Sequence, residues 1–257
     1  MKAKELIEII NNGANAPEVT CDTVKCGDPE KEVHKIAVTM FATPDVIRKA
    51  TEFGAEMLIV HEPTYYDHMD VFKATPVSVA KRELIEKSGL LIYRYHDNMH
   101  YREADLISHG QAKYLGLSGE ITPTKYNGSS MLTSDTPISA YELITHAKND
   151  LKIPHVRVAG DPYYKCTKIA LCFGTPGGVF DLLQGDAEMV ITGEACEWKI
   201  AEYARDAALL GFGKALVVMG HIGSEAGGMI VFADDLQKKY PELEVRYFES
   251  SSVYADI

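Results

Sequence analysis

Met57-Leu58-Ile59-Val60-His61-Glu62-Pro63 runs four apolar residues straight into an imidazole and a carboxylate, and a proline stops the run. A continuous apolar run suits a strand buried on both faces of a parallel sheet. Ligands of open α/β sheets sit beyond the carboxyl ends of such strands. His61 and Glu62 therefore stand where chemistry is expected.

The flanking sequence supports a parallel sheet. Upstream, Lys35 to Met40 alternates as a strand, and Thr43-Pro44-Asp45 opens a helix with Thr as N-cap and Pro in the first turn. Gly54 is placed to end that helix. Downstream come a polar loop from Tyr65 to Lys73, a second helix start at Thr75-Pro76, a stop near Gly89 and a strand from Leu90 to Tyr95 that runs into His96. Strand, helix, strand, helix, strand with short connections implies right-handed crossovers. His96 then reaches the same sheet edge as His61, and His100 lies four residues on, one helical turn away. Ala104 to Leu115 has a helical pattern, whereas Val19 to Asp28 is expected to be irregular and to end in a turn.

Residues 121–135 gather Pro, Gly, Asn and Ser and are the expected boundary, dividing the chain into α/β domains 1–124 and 125–257. Thr136-Pro137 is expected to open a helix, after which the design recurs: strands at Lys168 to Phe173, Met189 to Ile191 and Ala215 to Met219, a short helix at Val179 to Leu183 and a longer one from Ala195 to Leu210. A helix from about Glu225 to Lys239 and a strand from Glu244 to Phe248 close the chain. The fold class expected is α/β, with two similar domains and mainly parallel sheets.

A net charge of −11 argues against a nucleic-acid partner, because phosphate binding needs clustered Lys and Arg. It suits a site that concentrates cations. No apolar run approaches the ~20 residues of a membrane span, and the opening Met1 to Gly13 is an amphipathic helix with Glu5 and Glu8 rather than a signal peptide. A cytoplasmic location is expected. Five cysteines without a CxxC fit reduced thiols, and Cys172, inside an apolar run, fits a small buried hydrophobe.

His221 follows the apolar strand Leu216-Val217-Val218-Met219 through Gly220, and Glu225 is four residues further. His61, Glu62, His96, His100, His221 and Glu225 together mix imidazole with carboxylate, a donor set for zinc, manganese, iron or nickel rather than calcium. Each taken singly is an ordinary turn residue; equivalent placement at strand ends is what groups them. His34, His109, His146 and His155 lack such placement, and His68 lies with Asp67 and Asp70 in a polar loop that can reach the site or simply be solvated. Gly174-Thr175-Pro176-Gly177-Gly178 reads as a tight turn; it matches neither the dinucleotide fingerprint nor the Walker loop. A GxSxG elbow and a Ser-His-Asp ordering are missing as well.

At these residues the sequence resembles the NIF-three-like family, whose bacterial members often carry the label GTP cyclohydrolase I type 2 homologue. The resemblance rests on Cys26-Gly27-Asp28-Pro29, the Thr43-Pro44 start, Leu58 to His61, Tyr95-His96 with His100, Ile191-Thr192-Gly193-Glu194 and Gly220-His221-Ile222-Gly223-Ser224-Glu225. It implies two α/β domains facing across a cleft with a dinuclear metal centre, and subunits assembled into a toroidal hexamer. Carried over, His61, His221 and Glu225 match family metal ligands. Glu62 stands where the family has a second His and His100 where it has an Asp, an exchange that keeps the imidazole and carboxylate count. Trp198 replaces a family His and Phe41 an Asp. Glu194 remains as a candidate acid or base or as a support for the ligands, Glu225 as a bridging carboxylate, and His96 as a residue that orients a ligand or serves as one.

The resemblance and the donor set together imply two divalent ions and a metal-dependent hydrolase acting on a small phosphorylated or nucleotide-like substrate. The alternative is a non-catalytic metal carrier or assembly scaffold. An α/β oxidoreductase would need the fingerprint that is missing.

Overall fold

The computed structural model describes residues 1–149, 151, 153 and 155–254. It is a mixed α/β structure that divides into two compact units, Met1–Glu103 with Met229–Ile257, and Ala104–Gly228.

The first unit holds a sheet of β1 (Val24–Cys26), β2 (Lys35–Thr39), β3 (Met57–Val60), β4 (Leu91–Arg94) and β11 (Glu244–Tyr247) in the order β1-β4-β3-β2-β11. β11, β2, β3 and β4 are mutually parallel, and β1 closes the edge antiparallel to β4. β3 is buried along its whole length, as its unbroken apolar run requires. Helices α2 (Pro44–Phe53) and α3 (Pro76–Ser88) cover one face, with Val46, Ile47, Ala50 and Ile85 packed on Ala37, Leu58, Val60 and Ile92. Both start as their Thr-Pro pairs dictate: the Thr43 and Thr75 hydroxyls accept the amides of Val46 and Ser78, and Gly54 and Gly89 end them in left-handed conformation. On the other face, helix α1 (Ala3–Asn11) supplies Leu6 and Ile10, and the Tyr95 ring lies 5.2 Å from Phe232 of helix α9 (His221–Lys239). A one-turn helix, α4 (Asp97–His100), follows β4.

The second unit holds β5 (Gly119–Pro123), β6 (Ser130–Ile138), β7 (Arg157–Gly160), β8 (Cys166–Cys172), β9 (Met189–Thr192) and β10 (Ala215–Val218) in the order β5-β6-β8-β9-β10-β7. β8, β9 and β10 form a parallel trio, flanked by antiparallel β6 and β7. Helices α7 (Val179–Gln184) and α8 (Glu202–Leu209) pack on it through Val179, Leu183 and Ala204. Cys172 is buried there as a small hydrophobe. Helix α5 (Leu106–Tyr114) crosses the start of α9 at a pair of glycines. A Cβ on Gly110 would meet the Gly228 Cα at 2.9 Å, and one on Gly228 would meet the Ile107 Cα at 2.9 Å. The buried Gln111 side chain bridges Gly223 and Gly227, donating 3.1 Å to one carbonyl and accepting 2.7 Å from the other amide.

Each unit thus carries the expected central trio of parallel strands, but several local expectations give way. The Pro, Gly, Asn and Ser cluster at 121–135 makes a β5–β6 hairpin, with Thr124 and Ser129 bonded across its turn, instead of a domain boundary. Thr136-Pro137 lies in β6 at a register irregularity, where a missing amide is tolerated. The next helix, α6 (Ala140–Asn149), starts later, with Ser139 and Glu142 exchanging hydrogen bonds at its N-terminus. The irregular 19–28 stretch contains β1, and β7 was not expected. The division also differs from consecutive halves 1–124 and 125–257: β11 pairs with β2, so the chain's last strand completes its first sheet. Residues 255–257 of that second half lie outside the described residues.

The α5–α9 crossing generates a test. Gly228→Val is expected to force the helices apart and to cost about 1–3 kcal/mol, the range of an overpacked contact, read as a lower urea midpoint with an unchanged slope.

Candidate metal centre

His61 follows β3 directly and is fully buried. Its Nδ1 lies 3.0 Å from the Tyr95 carbonyl oxygen. A carbonyl only accepts, so the proton sits on Nδ1 and the lone pair on Nε2, the tautomer a metal needs. His96 and His100 bracket α4, and the turn is helical, as their spacing implied. The three rings gather: His61 stacks on His96 with centroids 4.6 Å apart, and His100 lies 5.2 Å from His61 and 4.8 Å from His96. Each offers a nitrogen within 4.8 Å of the others. Parallel pairing of β3 with β4 produces this, because it ends both strands at one edge. His96 was expected to orient a ligand or to serve as one; its ring nitrogen belongs to the group, and its Nδ1 is held by Asp97 at 2.9 Å. His68 reaches this corner from its loop, its ring 5.5 Å from that of His96.

Two carboxylates behind the imidazoles escaped the sequence reading. Asp22 Oδ1 accepts the amides of His96 and Asp97, at 2.8 and 2.9 Å, and Oδ2 accepts the amide and side chain of Asn98, both at 2.8 Å. It caps the turn that carries the histidines from more than seventy residues away, so no local spacing announces it. Asp97 accepts from the Thr20 hydroxyl at 2.7 Å and the Cys21 amide at 3.2 Å. Burial pushes its carboxyl up, but the His96 and Thr20 bonds overcome this and hold it below the usual carboxylate range. Cys21, His68 and Asp97 form a second group of suitable atoms, although burial raises the Cys21 thiol to about 12 and keeps it neutral.

In the second unit, α9 begins at His221, four residues earlier than expected, so His221 and Glu225 stand one turn apart on a single helix. His221 Nε2 is 3.3 Å from Glu225 Oε2, and Nδ1 is 2.9 Å from Glu194 Oε1. Glu194 therefore orients the imidazole, the carboxylate–histidine arrangement typical of metal ligands. Glycines clear the space around it. A Cβ on Gly174 would meet the Glu225 carboxylate, and one on Gly193 would meet the Ser224 hydroxyl at 2.7 Å. A shallow cavity of about 460 Å³ opens beside Glu194, between Thr175, Phe180, Cys196 and Ile200. Trp198, on the π-helical segment Glu197–Ala201, is strongly exposed, whereas Phe41 follows β2 at intermediate exposure.

The donor chemistry of the first unit's imidazole group fits a borderline divalent ion: rings held through Nδ1, with carboxylates alongside. Burial holds the His61 imidazole well below its usual range, and the neighbouring His96 adds to this. The folded, metal-free protein then takes up that proton less readily than the unfolded chain, whose imidazole titrates near about 6.5. Stability on this account is complete above that pH and is lost as the pH falls below it. Thermal midpoints of chelator-treated protein are expected to drop between about pH 6.5 and 5, and less so in His61→Gln. Asp22→Ala should cost about 2–3 kcal/mol in urea denaturation, from a lost cap and charged hydrogen bonds.

Comparison with known proteins finds relatives of the same fold. A GTP cyclohydrolase 1 type 2 homolog of Clostridium perfringens is 24% identical over 249 residues, covering 93% of this chain and 92% of that one. The NGG1-interacting factor 3 of Saccharomyces cerevisiae is 22% identical over 225 residues, 79% of this chain and 74% of its own. The crystal structure of the Staphylococcus aureus hypothetical protein SA1388 superposes with a TM-score of 0.75 at 18% identity, covering 100% of this chain and 99% of that one. The family model described as Duf34/NIF3 (NGG1p interacting factor 3) matches residues 1–253, and the chain belongs to that family.

Proposed function

We propose that this protein binds two divalent ions through His61, Glu62 and His100 of the first unit and His221 and Glu225 of the second, and uses them as a metal-dependent hydrolase. The observation that carries the reading is the gathering of three imidazoles at one sheet edge, with His61 and His96 both held through Nδ1. Paired divalent ions supply hydroxide at neutral pH and stabilise a developing oxyanion. The chain's own residues prepare for that chemistry. Glu194 holds the His221 proton on Nδ1, Asp97 does the same for His96, and Glu225 brings a buried carboxylate to the ligand set. Of the two roles expected of Glu194, acid or base and support for a ligand, the second is assigned foremost, through His221.

A small substrate has room beside Glu194, in the cavity of about 460 Å³. A phosphorylated or nucleotide-like class is inferred from the relatives named GTP cyclohydrolase 1 type 2 homolog. The part-exposed His221 and exposed Glu194 favour a site open to solvent, and so a catalytic one. The burial of His61 and Glu225 favours the second reading, a closed site in a metal carrier or assembly scaffold. Self-association into a toroidal hexamer belongs to either reading. No helix among the described residues is long and apolar enough to cross a membrane.

Elemental analysis of protein purified without chelator is expected to find stoichiometric zinc, manganese, iron or nickel. Glu62→Ala, His100→Ala and Glu225→Ala should each strip it, and full occupancy in the first two would remove those residues from the ligand set. A panel of phosphatase and nucleotide-hydrolase substrates with the matching metal then separates the readings: turnover abolished by Glu225→Ala marks the hydrolase, and bound metal without turnover marks the carrier.

A further inference from the structure

Arg94 ends β4 with its side chain completely buried. A guanidinium removed from water costs several kcal/mol unless it is paired, so its partners are informative. Nε donates to the His61 carbonyl at 3.1 Å, and Nη1 donates to the His68 carbonyl. Nη1 also lies 3.6 Å from Asp70 Oδ2, to which the buried Lys25 ammonium approaches within 3.0 Å. Nη2 makes no hydrogen bond among the described residues and faces Glu62 Oε2 at 3.9 Å. At that distance the guanidinium holds the carboxylate by charge. The loop between His61 and Asp70 is fixed by the same groups. Asp70 and Tyr66 adopt left-handed φ values of 58° and 65°, Asp70 Oδ1 accepts the Tyr65 amide at 2.9 Å, and Lys81 donates to the Thr64 carbonyl at 2.6 Å.

Lys25 and Arg94 face Asp70 and Glu62 in one buried network, with the buried Lys81 donating to the same loop. We propose that Arg94 is the positioning residue of the metal-binding corner, its guanidinium, anchored on the His61 and His68 carbonyls, fixing the place of the Glu62 carboxylate that it faces at 3.9 Å. The proposal rests on the metal-binding reading above and deepens it. Arg94 acts on the ion through Glu62 and touches no ion itself.

A double-mutant cycle tests this, with cobalt(II) uptake followed by visible absorption and fold integrity by the urea midpoint. Arg94→Met and Glu62→Gln should each weaken cobalt binding about tenfold or more, the range for groups that support a metal ligand. Because Arg94 acts through Glu62, the double variant should bind within about threefold of the weaker single. Arg94→Lys, which keeps the charge and loses the fork, should bind at an intermediate level with a shifted cobalt spectrum. Losses that multiply in the double variant, or wild-type cobalt affinity in folded Arg94→Met, overturn the proposal. Where Arg94→Met gives no cooperative urea transition, the same cycle run with Arg94→Lys decides. Wild-type protein that takes up no cobalt overturns the metal reading itself, an outcome distinct from uptake with uncoupled variants.

Discussion

One residue's backbone fastens the end of the first sheet to its imidazoles. The Tyr95 amide donates to the Val60 carbonyl at 2.8 Å, which finishes the pairing of β4 with β3. The Tyr95 carbonyl then takes the His61 Nδ1 at 3.0 Å. The same peptide bonding that makes the sheet parallel therefore sets the tautomer of its terminal histidine. Tyr95 is itself pinned by its hydroxyl to the Ile10 carbonyl at 2.7 Å and by its ring to Phe232. Packing on one face of the sheet thus reaches the site through a single side chain.

Much of this was legible in the residues. Unbroken apolar runs named the buried strands, and Thr-Pro and Gly pairs marked the ends of α2 and α3, because those signals act within a few positions of themselves. The motifs around Gly193-Glu194 and Gly220-His221 pointed to the family. The same Thr-Pro signal misled at Thr136-Pro137, where strand pairing outweighed local preference. Asp22 and Arg94 stayed hidden for a different reason: their partners are chosen by the fold. Nothing near Asp22 in sequence indicates that it will take the amides of His96, Asp97 and Asn98. Arg94 reads as one polar residue in an otherwise apolar strand until the turn after β3 closes over it.

The two units position their histidines with different materials. In the first, imidazoles arrive at the ends of neighbouring strands and are backed by the adjacent Asp97 and by Asp22 from a distant segment. In the second, one helix carries both His221 and Glu225, and its position depends on small residues: Gly110 and Gly228 let α5 approach, and Gln111 ties the two glycines at 223 and 227. Histidine orientation by an oxygen on Nδ1 recurs throughout, with a carbonyl at His61, Asp97 at His96 and Glu194 at His221. Such backing restrains the rings without consuming the nitrogen that faces an ion.

The pairing of β11 with β2 has a consequence for biosynthesis. A ribosome releases the chain from its N-terminus at about 5–20 residues per second. The unit formed by Ala104–Gly228 is contiguous and can close as soon as it emerges. The unit begun by Met1–Glu103 cannot: until residues Met229 onward appear, β2 remains an open edge and the Tyr95 face lacks Phe232. For that interval the nascent protein presents an unsatisfied strand edge, the kind of surface on which holding chaperones act and from which aggregation starts. Growth order and folding order are therefore inverted, and the first-made sheet is the last to be finished.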